Sequence, residues 1–96
     1  MDTKFEVELP QHIESLFDLS GKVALVSTAA SGLGRAIAYG MARYGADVVC
    51  ADLDLSGAED TASQIRQWGK EGIAIPYDVR DWFQVKKMIR QSVDHF

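Results

Sequence analysis

The sequence has one cysteine, two prolines and two histidines among 96 residues, and none of its apolar runs approaches the about 20 residues of a membrane span. A disulfide needs two cysteines, so Cys50 excludes an intrachain disulfide framework and favours a reducing compartment. His12 and His95 have no metal-ligand or catalytic spacing with Cys50, and we expect no bound metal. The N-terminus lacks the continuous apolar segment of a signal peptide. We therefore expect a cytoplasmic protein without a membrane span.

An excess of basic charge is also absent, since the net charge is −4. Residues 1–18 hold five acidic residues and one basic residue, and residues 19–96 hold nine of each. This balance gives no electrostatic reason to expect a nucleic acid or an anionic membrane as a partner. It predicts an acidic N-terminal extension over residues 1–18 and a single domain over residues 19–96. Within the extension, Pro10 to Phe17 is interpreted as a short helix or a partly ordered lead-in.

Three short apolar runs alternate with longer stretches of helical period. The runs cover residues 23–26, 48–51 and 73–75, and each is flanked by lysine, glycine, aspartate or proline. Because the runs are continuous and do not alternate with polar residues, they predict strands buried on both faces, as in a parallel sheet covered by helices. Pro76 cannot donate a hydrogen bond to a ladder, which predicts that the third strand lies at an edge of the sheet.

The first helical stretch follows the first run. It is predicted to begin at a Gly32/Gly34 turn, to run from Arg35 to Tyr44 and to end at Gly45. Two small residues four positions apart, Ala36 and Gly40, are expected to let this helix pack close to the sheet. Its large apolar residues share one face: Leu33, Ile37 and Met41.

The other two helical stretches carry their own start signals. Ser56 and Glu59 have the spacing of a capping box and predict a helix that ends at Gly69. Asp81 and Gln84 predict the start of a third helix that continues to the last residue. This helix has a stripe of residues on one face: Val85, Met88, Ile89, Ser92, Val93 and Phe96. The element order β-α-β-α-β-α predicts an α/β fold with right-handed crossovers.

A turn of small residues joins the first strand to the first helix. Residues 27–34 read Ser-Thr-Ala-Ala-Ser-Gly-Leu-Gly. Small residues allow the backbone to approach a pyrophosphate closely, and the helix N-terminus supplies free N–H groups and partial positive charge. The same pattern would also suit a tight turn that binds no ligand.

Asp52 lies at the end of the second strand, 18 residues beyond Gly34. A dinucleotide-binding fold places an acid there to contact the adenosine ribose hydroxyls, whereas the alternative is a solvated acid at a loop end. Leu53 follows, and no basic residue lies in the turn before Arg35. A 2′-phosphate would therefore meet a negative charge without an obvious cation, which favours NAD over NADP.

These motifs resemble the N-terminal half of a short-chain dehydrogenase/reductase, whose cofactor turn reads Thr-Gly-x-x-x-Gly-x-Gly. The resemblance implies the N-terminal half of a Rossmann-type doubly wound parallel sheet, β1-α1-β2-α2-β3-α3, so residues 19–96 are expected to form a partial dinucleotide-binding domain. It implies that Asp78 contacts the adenine ring and that the backbone of Val79 lies beside it. The cofactor-binding residues predicted in this way are Ser27, Ser31, Gly32, Leu33, Gly34, Asp52, Leu53, Asp78 and Val79.

The sequence departs from the family pattern in two ways. Thr28 stands where the family has its first glycine, and a β-branched residue resists positive φ there, so weaker cofactor binding is expected. The family's later Asn-Ala-Gly turn, catalytic Ser and Tyr-x-x-x-Lys pair are also missing, since no tyrosine lies four residues before any lysine. No catalytic residue is therefore predicted.

The resulting interpretation is the nucleotide-binding half of an NAD-dependent alcohol or carbonyl oxidoreductase, truncated before its catalytic residues and inactive by itself. A small alcohol or carbonyl substrate is expected only in a full-length form. The alternative is a degenerate, non-catalytic fragment or interaction module with weak or no NAD binding. A flavodoxin-like or response-regulator domain has the same element order but does not explain the glycine turn with Asp52. An open edge on the first strand also predicts self-association.

Overall fold

The computed structural model describes residues 16–96. Three strands alternate with three helices along the chain. They are β1 (Val23–Ser27), α1 (Gly32–Arg43), β2 (Asp47–Asp52), α2 (Leu55–Gln67), β3 (Gly72–Pro76) and α3 (Trp82–His95). Each predicted apolar run lies inside one strand, so the predicted α/β class and the half-Rossmann element order are confirmed. In this part of the chain, none of the helices has both the length and the apolar character needed to span a bilayer.

The strands form one parallel sheet in the order β1-β2-β3. The central strand β2 has four consecutive buried residues, Val48 to Ala51, and these contribute to two cores on opposite faces. Val48 and Cys50 face α1 and α2, while Val49 and Ala51 pack with the buried Met88 of α3. The prediction of strands covered on both faces is therefore confirmed for β2, and the prediction that β3 is an edge strand is also confirmed.

Helix α1 packs on the sheet through its smallest residues, but not through the predicted pair. Gly34, Ala38 and Ala42 are buried, whereas Ala36 is exposed. A Cβ added at Gly40 would meet no atom within 4 Å, so this glycine is not a close-packing position. The prediction for Ala36 and Gly40 was wrong because the face toward the sheet lies two residues further along the helix. As a consequence, the large apolar face points outward, with exposed fractions of 77% for Leu33, 42% for Ile37 and 37% for Met41.

The start of α2 also differs from the prediction. Asp54 is the N-cap, and its carboxylate accepts a hydrogen bond from the backbone N–H of Gly57 at 3.0 Å. The predicted capping box at Ser56 and Glu59 is therefore wrong, and Glu59 pairs with Arg66 two turns further along the helix. An aspartate directly before the helix is in the N-cap position and can accept from the free N–H groups of the first turn, whereas a serine inside that turn is not in the N-cap position.

The start of α3 agrees with the prediction. The Asp81 carboxylate accepts hydrogen bonds from the backbone N–H groups of Phe83 and Gln84. Only part of the predicted stripe is covered, since Met88 and Ser92 are buried while Ile89 and Val93 are 45% and 70% exposed.

Most of the predicted N-terminal extension, and most of its predicted helix, lies outside the described residues. The last part of this extension contacts the domain. The Phe17 ring lies 6.3 Å from the Tyr44 ring, and directly after the predicted extension the backbone N–H of Leu19 donates to the Tyr44 carbonyl at 2.8 Å. Asp18 accepts hydrogen bonds from the backbone and the side chain of Ser20, which lower the pKa of its carboxyl group.

Candidate functional site

The candidate site lies where the carboxyl ends of the three parallel strands meet. Strand β1 ends at Ser27, β2 at Asp52 and β3 at Pro76, and Ser27 and Pro76 flank β2 in register with Ala51 and Asp52. Parallel strands bring their carboxyl ends to one edge of a sheet, so the three connections that follow them are neighbours. Sequence motifs that are far apart along the chain are thereby assembled at one edge.

The two glycines of the turn, Gly32 and Gly34, have different structural roles. A Cβ at Gly34 would lie 1.9 Å from the Thr28 carbonyl oxygen, so only glycine allows α1 to start this close to the turn. Gly32 has φ of +56°, and a Cβ there would meet nothing within 4 Å. Gly34 allows the turn to lie against the helix, while Gly32 leaves open space in front of the helix N-terminus.

The N-terminus of α1 differs from those of α2 and α3. Its N-cap residue Ser31 makes no side-chain capping bond, whereas the side chains of Asp54 and Asp81 cap α2 and α3. The first intrahelical bond comes from Arg35 N–H to the Ser31 carbonyl at 3.3 Å. The backbone N–H groups of Gly32, Leu33 and Gly34 therefore precede the helical ladder, and an anion can accept hydrogen bonds from them.

Thr28 has φ of +52° and is the one non-glycine residue with positive φ along residues 16–96. The left-handed region is unfavourable for a β-branched residue, so the turn holds Thr28 in a strained conformation. Its hydroxyl donates to the Ser27 carbonyl at 2.6 Å. The predicted conflict between Thr28 and positive φ is therefore present in the structure, because the backbone keeps the conformation that glycine adopts easily.

Asp52 links the turn to the start of α2. One carboxylate oxygen accepts from the backbone N–H of Ala30 at 3.0 Å, and the other accepts from the backbone N–H of Asp54 at 3.0 Å. Each carboxylate oxygen has a second lone-pair position, so the half-exposed group can still accept hydrogen bonds from a ligand. Asp52 is therefore suited to bind two neighbouring hydroxyl groups.

A cleft of about 150 Å³ lies beside Asp52. It brings together four of the predicted residues, and three others line it as well. The predicted ones are Asp52, Leu53, Asp78 and Val79, and the others are Thr28, Tyr77 and Arg80. Leu53 and Val79 are 67% and 70% exposed, so the cleft has two apolar side chains open to solvent.

Arg80 is a site residue that sequence reasoning missed. Its guanidinium donates to both carboxylate oxygens of Asp78, from Nε at 3.0 Å and from Nη2 at 2.8 Å. This contact lowers the pKa of Asp78 to about 2. The backbone N–H of Asp78 donates to the Gln84 side chain at 2.8 Å. An arginine two residues after a strand-end aspartate is the signal that could have indicated this pair.

The remaining predicted residues do not line this cleft. Ser27, Leu33 and Gly34 border a separate open groove of about 500 Å³ between β1 and α1. Ser31 and Gly32 are exposed at the tip of the turn. Thr28 borders both the groove and the cleft, so the turn separates two open spaces. Along residues 16–96, no three side chains of His, Cys, Asp or Glu come together in a way that could hold a metal ion.

Comparison with known proteins places this geometry in a family. A family model described as short chain dehydrogenase matches residues 22–96. A ketoacyl reductase from Nostoc sp., HetN, is 38% identical over 76 residues, which are 79% of this chain and 26% of the reductase.

Solved structures give the same result. A hydroxysteroid dehydrogenase from Escherichia coli superposes with a TM-score of 0.80 at 26% identity, covering 82% of this chain and 34% of that enzyme. A putative short-chain alcohol dehydrogenase from Sinorhizobium meliloti 1021 has a TM-score of 0.78 at 34% identity and covers 82% of this chain and 31% of its own. The chain thus spans about a third or less of the length of these relatives. By sequence and by fold, it belongs to the short-chain dehydrogenase family.

Proposed function

We propose that this chain is the NAD-binding part of an oxidoreductase that interconverts an alcohol and a carbonyl compound. Membership in the family already implies a dinucleotide cofactor. The observation that carries the proposal is the uncapped N-terminus of α1, which lies next to the Asp52 carboxylate at the same edge of the sheet. An anion-binding helix end beside a hydroxyl-binding acid matches the pyrophosphate and the ribose of a dinucleotide.

The pyrophosphate would be held by the N–H groups of Gly32, Leu33 and Gly34, assisted by the hydroxyl groups of Ser27 and Ser31. The open space in front of Gly32 supports this fit.

The adenosine would occupy the cleft. Asp52 would accept the ribose hydroxyls, and Leu53 and Val79 would contact the adenine ring. Asp78, kept ionised by Arg80, would accept from the adenine amino group. The cofactor supplies hydride transfer when it is bound, while these residues bind and orient it.

The preference for NAD over NADP rests on charge. Asp52 would repel a 2′-phosphate. The two arginines near the turn and the cleft are already engaged, because Arg35 donates to Thr61 and to the Gly57 carbonyl, and Arg80 is paired with Asp78.

Calorimetric titration of the 96-residue chain with NAD and with NADP tests this proposal. We expect NAD to bind at least tenfold more tightly, since an unpaired like charge at the ribose costs about 1.4 kcal/mol or more. Asp52→Asn should weaken NAD binding and reduce the discrimination. Asp60→Asn is the matched control, because it makes the same charge change on the exposed surface of α2. Equal binding of both cofactors, or equal effects of the two variants, would overturn the assignment of Asp52.

Catalysis by the 96-residue chain alone is not expected. The chain has no tyrosine four residues before a lysine, so it lacks the pair that the family uses for proton transfer. We propose that alcohol or carbonyl turnover requires residues outside this sequence. Cofactor-linked turnover by the purified chain, with contaminating enzymes excluded by an Asp52→Asn control, would refute this proposal.

A second function, association with another protein surface, is favoured by the apolar surface beside β1. Leu25 on β1 is 42% exposed, and it lies in the same groove as Leu33 and Ile37 of α1. An edge strand next to an exposed apolar surface favours pairing with a second copy. Sedimentation of the separate chain should therefore give a dimer that Leu25→Lys dissociates. Leu55→Lys, at a similarly exposed leucine of α2 that does not border this groove, should leave the dimer intact.

We also propose a cytoplasmic location. The single Cys50 is free and buried, which suits a reducing compartment.

A further inference from the structure

We infer that Thr61, held by Arg35, is a positioning residue that keeps the cofactor turn in its binding conformation. This inference rests on the proposed NAD site and adds to it two residues that do not border the cleft beside Asp52 or the groove beside β1. Thr61 lies on α2 and is fully buried. Its hydroxyl donates to the carbonyl of Ala29, in the middle of the turn, at 2.7 Å.

Arg35 directs the Thr61 hydroxyl toward the turn. Its Nε donates to the Thr61 Oγ1 at 2.9 Å, and its Nη2 donates to the Gly57 carbonyl at 3.1 Å. The Gly57 carbonyl is the other acceptor within reach of the hydroxyl, at 3.2 Å. Arg35 already donates to both the Thr61 hydroxyl oxygen and the competing Gly57 carbonyl. The hydroxyl has a single proton, so it donates this proton preferentially to the Ala29 carbonyl.

The turn is held from its other side by β2. The carbonyl of Ala29 and the N–H of Ala30 belong to one peptide group, and Asp52 accepts from that N–H at 3.0 Å. The preceding peptide is also fixed, since the N–H of Ala29 donates to the Ala51 carbonyl at 3.2 Å. Two consecutive peptide groups after Thr28 are therefore held by the surrounding structure.

These contacts explain how Thr28 keeps a positive φ. A strained residue persists only where its surroundings over-determine the conformation. Losing the Thr61 hydroxyl would leave the buried Ala29 carbonyl without a donor and would let the turn relax away from the left-handed conformation. The relaxed turn would present the N–H groups of Gly32 to Gly34 less well to a pyrophosphate.

A double-mutant cycle between positions 28 and 61 tests the inference. Thr61→Val removes the hydroxyl and keeps the shape, while Thr61→Ser keeps the hydroxyl and serves as the control. In the chain that retains Thr28, we expect Thr61→Val to weaken NAD binding about tenfold, because one lost hydrogen bond leaves a buried acceptor unpaired. The NAD affinity of Thr61→Ser should stay within about twofold of the unmodified chain. In a Thr28→Gly background, Thr61→Val should cost no more than about threefold, because glycine adopts positive φ without support.

Amide hydrogen exchange of the chain without cofactor gives a second readout. Thr61→Val should speed exchange of the Ala30 amide about tenfold relative to Thr61→Ser, and Thr28→Gly should remove most of that difference. If NAD binds but Thr61→Val and Thr61→Ser bind it equally, the inference is wrong and the proposed function stands. If the unmodified chain binds no NAD, the proposed function fails, and the exchange of the Ala30 amide alone decides whether Thr61 positions the turn.

If Thr61→Val does not fold, a milder substitution at Arg35 still tests the inference. Arg35→Met removes the donors that direct the hydroxyl but leaves Thr61 in place, and it should weaken NAD binding about threefold. An unchanged affinity in Arg35→Met, with Thr61→Val unfolded, would count as a refutation.

Discussion

Thr28→Gly should stabilise the chain, because Thr28 occupies the left-handed region with φ of +52°. That conformation costs an L-residue about 1–2 kcal/mol. Glycine removes this cost but loses about 0.5–1 kcal/mol through the greater freedom of the unfolded chain. The hydrogen bond from Thr28 Oγ1 to the Ser27 carbonyl is exposed, so water replaces it when it is lost. The net gain is about 0.5–1 kcal/mol in the free energy of unfolding.

This gain corresponds to a rise of about 4 °C in Tm for a domain of this size, and it can be measured by calorimetry or urea unfolding. Ser31→Gly is the matched control in the same turn, because Ser31 has φ of −162° and no side-chain capping bond. It adds the same freedom to the unfolded chain without relieving strain, so it should lower Tm slightly. If Thr28→Gly were no more stable than Ser31→Gly, the reasoning from strain would be wrong. Thr28→Gly should also tighten NAD binding, and equal or weaker binding by calorimetry would refute that part.

Three further predictions follow from the described contacts. Gly34→Ala should lower the free energy of unfolding by about 3 kcal/mol or more, since its Cβ would overlap a carbonyl oxygen of the turn. Gly40→Ala, where the added Cβ has open space, should raise the free energy of unfolding by about 0.5–1 kcal/mol. Similar effects of the two variants in urea unfolding would contradict this prediction. Arg80→Gln should raise the pKa of Asp78 from about 2 toward its ordinary value of 3.8 in a carbon-13 NMR titration. The stabilisation from this pair is present above about pH 3.8 and is lost as the pH falls through about 2, and an unshifted midpoint would exclude the pair in solution. Burial raises the pKa of the Cys50 thiol to about 11, so native protein at pH 8 should resist alkylation, and labelling at the rate of a free thiol would contradict that burial.

Strand positions and the location of the site could be predicted from the sequence because they depend on local patterns. The continuous apolar run in β2 indicates a strand covered on both faces, and Pro76 indicates an edge. Gly34 was recognisable because a close approach of two backbones requires glycine wherever it occurs. Asp52 was recognisable because its place after a buried strand determines which edge it occupies.

The contacts between elements could not be predicted in this way. Helical period groups Leu33 with Ile37, but only the sheet geometry decides that Ala38 faces inward and these large residues face outward. The Thr61 hydroxyl meets the turn across 32 residues of sequence, and no local pattern marks such a contact. Arg80 follows Asp78 by two residues in the sequence, but whether the two side chains pair depends on the direction in which the chain leaves β3.

The two edges of the sheet have different capacities to bind another strand. On β3, position 76 faces away from β2, because the next N–H, that of Tyr77, donates to Asp52, and Pro76 has no N–H to offer there. At the other end of β3, the outward carbonyl of Gly72 already accepts from Arg66 at 2.8 Å. On the β1 edge, the Thr28 hydroxyl donates to the Ser27 carbonyl at the end of the strand, and among residues 16–96 no side chain donates to the backbone carbonyls from Val23 to Val26. Growth into a fibril requires two edges that can each pair with another strand, whereas one such edge allows a single pairing, so the proposed association through β1 would give closed pairs and not open polymers.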